Sequence, residues 1–184
     1  MAPGSRGVAF LRAINVGGNH VVKMDRLKKL FEQAGFTGVE TYIASGNVAF
    51  DLSRTAKGAT VERTIETMLR DALGFEVAAF VRTGTELLAA AEHEPFSTAA
   101  LKASLRVNLA FVKQPLDAKA VASIEALATG IEDFDIRGRE IYWLSRVAQS
   151  ESKVSNAVFE KTLGQPSTIR GMSTIRKMAE KYGK

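Results

Sequence analysis

Residues 39–50, Val39-Glu40-Thr41-Tyr42-Ile43-Ala44-Ser45-Gly46-Asn47-Val48-Ala49-Phe50, decide the fold. Val39, Thr41 and Ile43 alternate with polar positions, Ser45-Gly46 is a turn dipeptide, and Val48 and Phe50 resume the alternation, which predicts a β-hairpin. On its N-terminal side, Leu27, Leu30, Phe31 and Ala34 recur at helical spacing and Gly35 follows where a left-handed cap would sit, predicting a helix over about 24–34. Before that helix, Val8 to Ile14 is apolar on both faces, as a strand in the middle of a sheet must be. On the C-terminal side a polar loop, 51–59, leads to Val61, Ile65, Met68, Leu69 and Ala72, a second amphipathic helix closed by Gly74. Phe75 to Val81 then reads as a strand. A hairpin set between two helices gives the order β-α-β-β-α-β, the split βαβ or ferredoxin-like unit.

The second half partly repeats this order. Thr83-x-x-Glu86 is a capping box ahead of Leu87 and Leu88. Leu105 to Val112 reads as a strand, and Ala120, Val121, Ile124, Leu127 and Ala128 as one face of a helix. Ile131–Ile136 and Ile141–Leu144 form a hairpin around Arg137-Gly138. A helix near 153–163, started by Ser150 or Ser152, ends at Gly164. Pro166 breaks the chain, and Met172, Ile175, Met178 and Ala179 give a last amphipathic helix. The expected architecture is α+β: two packed ferredoxin-like (α/β plait) subdomains with antiparallel sheets, over residues 1–82 and 83–184.

Composition fits a globular chain of this kind. Of 184 residues, 46% are hydrophobic and 24% charged, which excludes a disordered or collagen-like chain. The absence of cysteine removes disulfides, a thiolate nucleophile and zinc-finger sites, and favours a reducing, cytoplasmic home. Met1 to Arg6 and the short strand that follows do not make a signal peptide, and no apolar run is long enough for a membrane span. The net charge of +5 is uneven: residues 1–151 carry 18 basic and 18 acidic groups, whereas 152–184 carry seven basic and two acidic ones.

Two loops are candidate sites, Asn15-Val16-Gly17-Gly18-Asn19-His20 and Ser45-Gly46-Asn47. In a ferredoxin-like sheet the first and third strands are antiparallel neighbours, so the end of the first meets the start of the third. Arg12, Asn15, Gly17, Gly18, Ser45, Gly46 and Asn47 then converge at one sheet end beside the first helix's N-terminus, with Lys23 close by. Glycine N–H groups, a helix start and a cation are the ingredients of a site for a small anionic or polar ligand. The same dipeptides also serve as plain turns, and an internal Arg12 ion pair is the competing reading. The alternative is a nucleic-acid-binding module built on Arg170, Arg176, Lys177 and Lys181, although no RNP-like aromatic run accompanies it and Phe10, Phe50 and Phe111 suit a core equally well. A non-catalytic interaction protein is the third reading.

Catalytic signatures fail individually, which leaves enzymatic activity undecided. There is no P-loop and no dinucleotide fingerprint, so no cofactor is expected. His20 and His93, the only histidines, lack metal-ligand spacing, and no carboxylate cluster stands in for cysteine, so no metal is expected. Ser45 lacks the glycine of a nucleophile elbow, and Ser150-Glu151-Ser152-Lys153 matches S-x-x-K without its partner motifs. Asp133 and Asp135 are expected as a solvated strand edge beside Arg137 and Arg139. Oligomeric state is not encoded in any of these features.

Leu11-Arg12-Ala13-Ile14-Asn15-Val16-Gly17-Gly18, Met24-x-x-Leu27, Gly35-Phe36 and Thr41-Tyr42-Ile43-Ala44-Ser45-Gly46-Asn47-Val48 together resemble the bacterial domain-of-unknown-function (DUF) family 1697. Glu94-Pro95-Phe96 is similar to the family's Asn-Pro-Phe, and Ser152-Lys153 with Lys161-x-Leu163-Gly164 to its Ser-Lys helix. Arg12-Ala13 stands where the family tends to have Arg-Gly. Thr168-Ile169-Arg170-Gly171-Met172-Ser173-Thr174 keeps Thr168, Arg170 and Thr174 of a family motif but not its Asn, Trp and second Asn. The resemblance implies two α/β-plait subdomains in a cytoplasmic bacterial protein, and no activity.

Overall fold

The structure is a computed structural model and describes residues 5–12, 14, 15, 20–53, 55 and 57–183. Among these are eight strands and seven helices in two compact units, Met1–Ala89 with Lys177–Lys184, and Ala90–Arg176. The fold is α+β, with one four-stranded antiparallel sheet in each unit.

The first unit comprises β1 (Ser5–Leu11), α1 (Met24–Gln33), β2 (Glu40–Tyr42), β3 (Asn47–Leu52), α2 (Gly58–Leu73), β4 (Ala79–Thr83) and the start of α3 (Gly84–Glu92). Its sheet order is β2-β3-β1-β4. The strand apolar on both faces, β1, is central, and its residues from Val8 to Leu11 are all buried. Leu27 and Phe31 of α1 and Val61, Ile65 and Leu69 of α2 pack on one sheet face with Ala9, Leu11, Val48, Phe50 and Val81. Gly74, in the left-handed conformation at φ 78°, closes α2 as its position in the sequence requires. The predicted capping box is formed: Thr83 Oγ1 accepts from the Glu86 N–H, and a Glu86 carboxylate oxygen accepts from the Thr83 N–H.

The edge strand β4 would present open N–H groups. Two acids of α2 cover them, with Glu62 accepting from the Val81 N–H at 2.8 Å and Glu66 from the Ala79 N–H at 2.9 Å. The second unit repeats the device, since Glu160 accepts from the Ser167 N–H at 2.9 Å.

The second unit runs through the end of α3, α4 (Thr98–Ala103), β5 (Arg106–Val112), α5 (Ala118–Glu125), β6 (Glu132–Arg137), β7 (Glu140–Ser145), α6 (Asn156–Leu163), β8 (Ser167–Gly171) and the start of α7 (Met172–Tyr182). Its sheet order, β6-β7-β5-β8, is the same topology as the first. Ala110, Val112, Ile141 and Trp143 meet Ile124 of α5 and Phe159 of α6 in its core. Side-chain caps start the helices: Ser97 for α4, Asp117 for α5 and Ser155 for α6.

Several local expectations change. The last helix of the βαββαβ repeat begins at Ser155, not at Ser150 or Ser152, because only the Ser155 hydroxyl reaches an N–H of the first turn. Phe75–Ala78 is not strand, since β1 ends at Leu11 opposite Ala79 and offers no ladder beyond the Arg12 N–H to Ala78 O bond. Ile43 leaves the hairpin strand: with φ 49° and 54% exposure it belongs to the turn. The strand β8 and the helix α4 carry too few apolar residues to show a period. Asp133 and Asp135, expected as a solvated strand edge, are half-buried and held by Arg146 at 2.7 Å and His93 at 2.9 Å.

The division expected at Thr83 falls within α3, and the chain's last eight residues join the first unit. There Lys181 pairs with Glu40 at 2.6 Å, and the Tyr182 ring meets Tyr42 edge-on and takes the Arg6 guanidinium over its face.

Candidate functional site

The register Phe10↔Asn47 brings the end of β1 to the start of β3, as the topology requires. The Leu11 N–H donates to Gly46 O at 2.8 Å. Asn15 then ties the two loops together through its side chain, donating to Val22 O at 3.1 Å and to Ala44 O at 3.0 Å and accepting from the Val22 N–H at 2.7 Å. Both amide protons and the carbonyl are therefore occupied, and Asn15 braces the site rather than offering itself to a ligand.

Asn47 is fully buried, and both of its amide protons are also used, toward Tyr42 O at 3.1 Å and Ser45 Oγ at 2.8 Å. Gly46, at φ 71°, lies so close to β1 that a Cβ there would stand 3.2 Å from Leu11 Cβ and 3.3 Å from Leu11 O, so glycine is needed for both reasons. Arg12 is half-buried and Ser45 likewise, whereas Lys23 is exposed and occupies the N-cap position of α1. The Lys23 side chain makes no cap hydrogen bond to this helix, whose first-turn N–H groups lack intrahelical partners. Gly17 and Gly18 lie outside the described residues.

Three non-glycine residues have positive φ among the described residues, Asn15 at 56°, His20 at 51° and Ile43 at 49°, and all three sit in these loops. Asparagine tolerates the left-handed region; a β-branched isoleucine does not, and it holds stored strain. The His20 ring is stacked on Phe75 with centroids 4.0 Å apart, which fixes the loop's far end. Val21 at 71% exposure and Ile43 at 54% add uncovered apolar surface to the same region. Val21 and Ile43 carried no signal in the sequence, because the hairpin pattern reads Ile43 as a strand residue, and although His20 closes the candidate loop nothing local announces its stacking.

The basic C-terminal residues are differently placed. Arg170 on β8 donates to Thr168 Oγ1 and to Ile169 O, both at 2.8 Å, and burial pulls its guanidinium down to about 10. Lys181 is held by Glu40, and Arg176 stands 3.7 Å from Glu94. Lys177 is exposed on α7.

No helix among the described residues is long and apolar enough to cross a membrane. A search of the curated proteins finds no match. Among solved structures, a conserved bacterial protein from Streptococcus pneumoniae is similar over 98% of this chain and 99% of its own, with 26% identity and a TM-score of 0.75. The likeness is one of fold, and the description of that structure names no activity. The profile of the protein family of unknown function DUF1697 matches residues 5–142, which carry both loops described above. This chain belongs to the DUF1697 family.

Proposed function

We propose that the first unit binds a small anionic or polar ligand at the sheet end formed by the loop after β1 and the β2–β3 turn. The observation that carries this reading is the gathering of every described non-glycine left-handed residue, Asn15, His20 and Ile43, at that one place. The β-branched Ile43 costs on the order of 1–2 kcal/mol there, and strain of this kind persists where surrounding contacts enforce it for a purpose. Lys23 and Arg12 supply positive charge, the start of α1 supplies N–H donors, and Ser45 and Gly46 form the facing wall. Asn15 and Asn47 hold these groups in place. The cysteine-free composition fits a ligand drawn from a reducing cytoplasm.

A thermal-shift screen of the full chain against inorganic phosphate, phosphorylated metabolites and nucleotides tests the reading. A ligand of the native state raises the apparent stability in proportion to its concentration over Kd. The Lys23→Gln and Arg12→Gln variants are expected to lose the shift. A hit that survives both substitutions would place binding elsewhere, and a screen with no hit at all would favour loops that serve only to turn the chain. A nucleic-acid module is less favoured, because Arg170 and Lys181 already face internal partners.

A further inference from the structure

We infer that the second unit carries a separate binding site for a small carboxylic acid with an apolar body. The site is a cavity of about 260 Å³ whose walls are Pro95, Phe96, Leu101, Val107, Tyr142 and Met172. It lies on the sheet face opposite the α5–α6 core, because Val107 and Tyr142 alternate with Ala110, Ile141 and Trp143 along β5 and β7. An apolar cavity of about 150 Å³ accommodates a benzene ring, so this one has room for a ring and a short arm.

The polar atoms around the cavity divide sharply into satisfied and available groups. The Tyr142 hydroxyl is turned away, donating to Ala90 O at 3.1 Å. Both His93 nitrogens are engaged. Arginine can only donate, so Nδ1 accepts from Arg137 at 3.2 Å, and Nε2 therefore bears the proton that goes to Asp135 at 2.9 Å. His93 is thus fixed as part of the wall, with its ring edge-on to Tyr142.

Arg176 is different. It also lines the cavity, and its nearest acid oxygen, Glu94 Oε1, is 3.7 Å away, too far for a hydrogen bond. Both side chains are more than half exposed, so this pair contributes little and is readily exchanged. A guanidinium fork at the rim of an apolar cavity matches one end of a carboxylate and the hydrophobic body behind it. The Glu94-Pro95-Phe96 stretch, which the loop-end site does not use, forms the facing side of the same mouth.

The test is a two-dimensional amide NMR titration of the full chain with phenylacetate, phenylacetamide and acetate. Phenylacetate is expected to move the resonances of Phe96, Leu101 and Met172. Phenylacetamide, which keeps the ring and loses the charge, should bind about tenfold more weakly, and acetate should leave these resonances in place. Arg176→Gln is a surface change that keeps the spectrum elsewhere. It should weaken phenylacetate by about tenfold while leaving phenylacetamide unchanged, and Leu101→Trp at the mouth should weaken both. Equal affinity for the acid and the amide, insensitivity to Arg176→Gln, or no movement of these three resonances up to the solubility limit would each overturn the proposal.

Discussion

Replacing Asn15 tests whether its side chain holds the two loops together. Alanine at this position deletes two amide donors and one acceptor that reach Val22 and Ala44 over 2.7–3.1 Å. A part-buried hydrogen bond contributes about 1 kcal/mol net, and the bond to Ala44 is exposed and sits at the lower end, so the three together amount to about 2–3 kcal/mol. The backbone stays at φ 56°, which asparagine tolerates and alanine does not, adding about 1 kcal/mol. The total, about 3–4 kcal/mol, is a large share of a typical domain's stability. Asn15→Gly loses the same bonds without the conformational cost in the native state, so it should be the milder variant despite the looser unfolded chain. Asn15→Asp keeps the acceptor for the Val22 N–H but turns a carboxylate toward two carbonyl oxygens, and should be no better than alanine. Urea unfolding followed by circular dichroism, with parallel slopes, gives the values. An Asn15→Ala variant within 1 kcal/mol of the parent, or a glycine variant less stable than the alanine one, would refute this account of the loop.

Three further expectations rest on other parts of the molecule. Asn108 is buried in the central strand β5 with its Nδ2 unpartnered, so Asn108→Val removes an unsatisfied group and suits a strand; it should raise stability by about 1 kcal/mol in the same urea assay. Glu62→Ala leaves the Val81 N–H of an edge strand buried without an acceptor and should cost about 1–3 kcal/mol, whereas Glu62→Gln keeps an acceptor oxygen and should cost less; hydrogen exchange at Val81 reports the difference directly. The Lys181 hydrogen bond above all, with the charges of Lys181 and Arg6 adding to it, holds the Glu40 carboxyl below its ordinary 4.5 against the opposing effect of burial. A lowered carboxyl stabilises the fold above its unfolded value and loses that contribution as pH falls through the folded one, so the docking of residues 177–184 should weaken at acid pH. The exposed geometry limits this to about 0.5 kcal/mol, and Glu40→Gln should abolish the pH dependence of proteolysis at the C-terminal turn.

The N-terminal hairpin illustrates what the sequence can convey. Alternation around Ser45-Gly46 and the both-sided apolar run at Val8–Leu11 impose a central strand with an antiparallel partner, and the topology of the first sheet follows from them. The second sheet was harder to read because β8 offers one apolar residue, Ile169, between Ser167, Thr168 and Arg170, and its burial depends on neighbours far along the chain. The unit boundary was illegible for a similar reason: Lys181 and Tyr182 find Glu40, Tyr42 and Arg6 across more than a hundred residues. At the candidate site, convergence was legible from topology, but the division of labour was not. Asn15 and Asn47 looked like ligand donors, and only their geometry shows them spending every amide proton on the backbone and on Ser45. In the same way, three residues of left-handed backbone cannot be read from a stretch that contains a β-branched isoleucine.

An amide NMR titration of the full chain with inorganic phosphate, and then with the strongest ligand from the thermal-shift screen, tests the binding claim most directly. Saturable movement of the Arg12, Asn15, His20, Lys23, Ser45 and Gly46 resonances is expected, weakened by Lys23→Gln and by added salt. Saturable binding that leaves these six resonances unmoved while shifting others would contradict it.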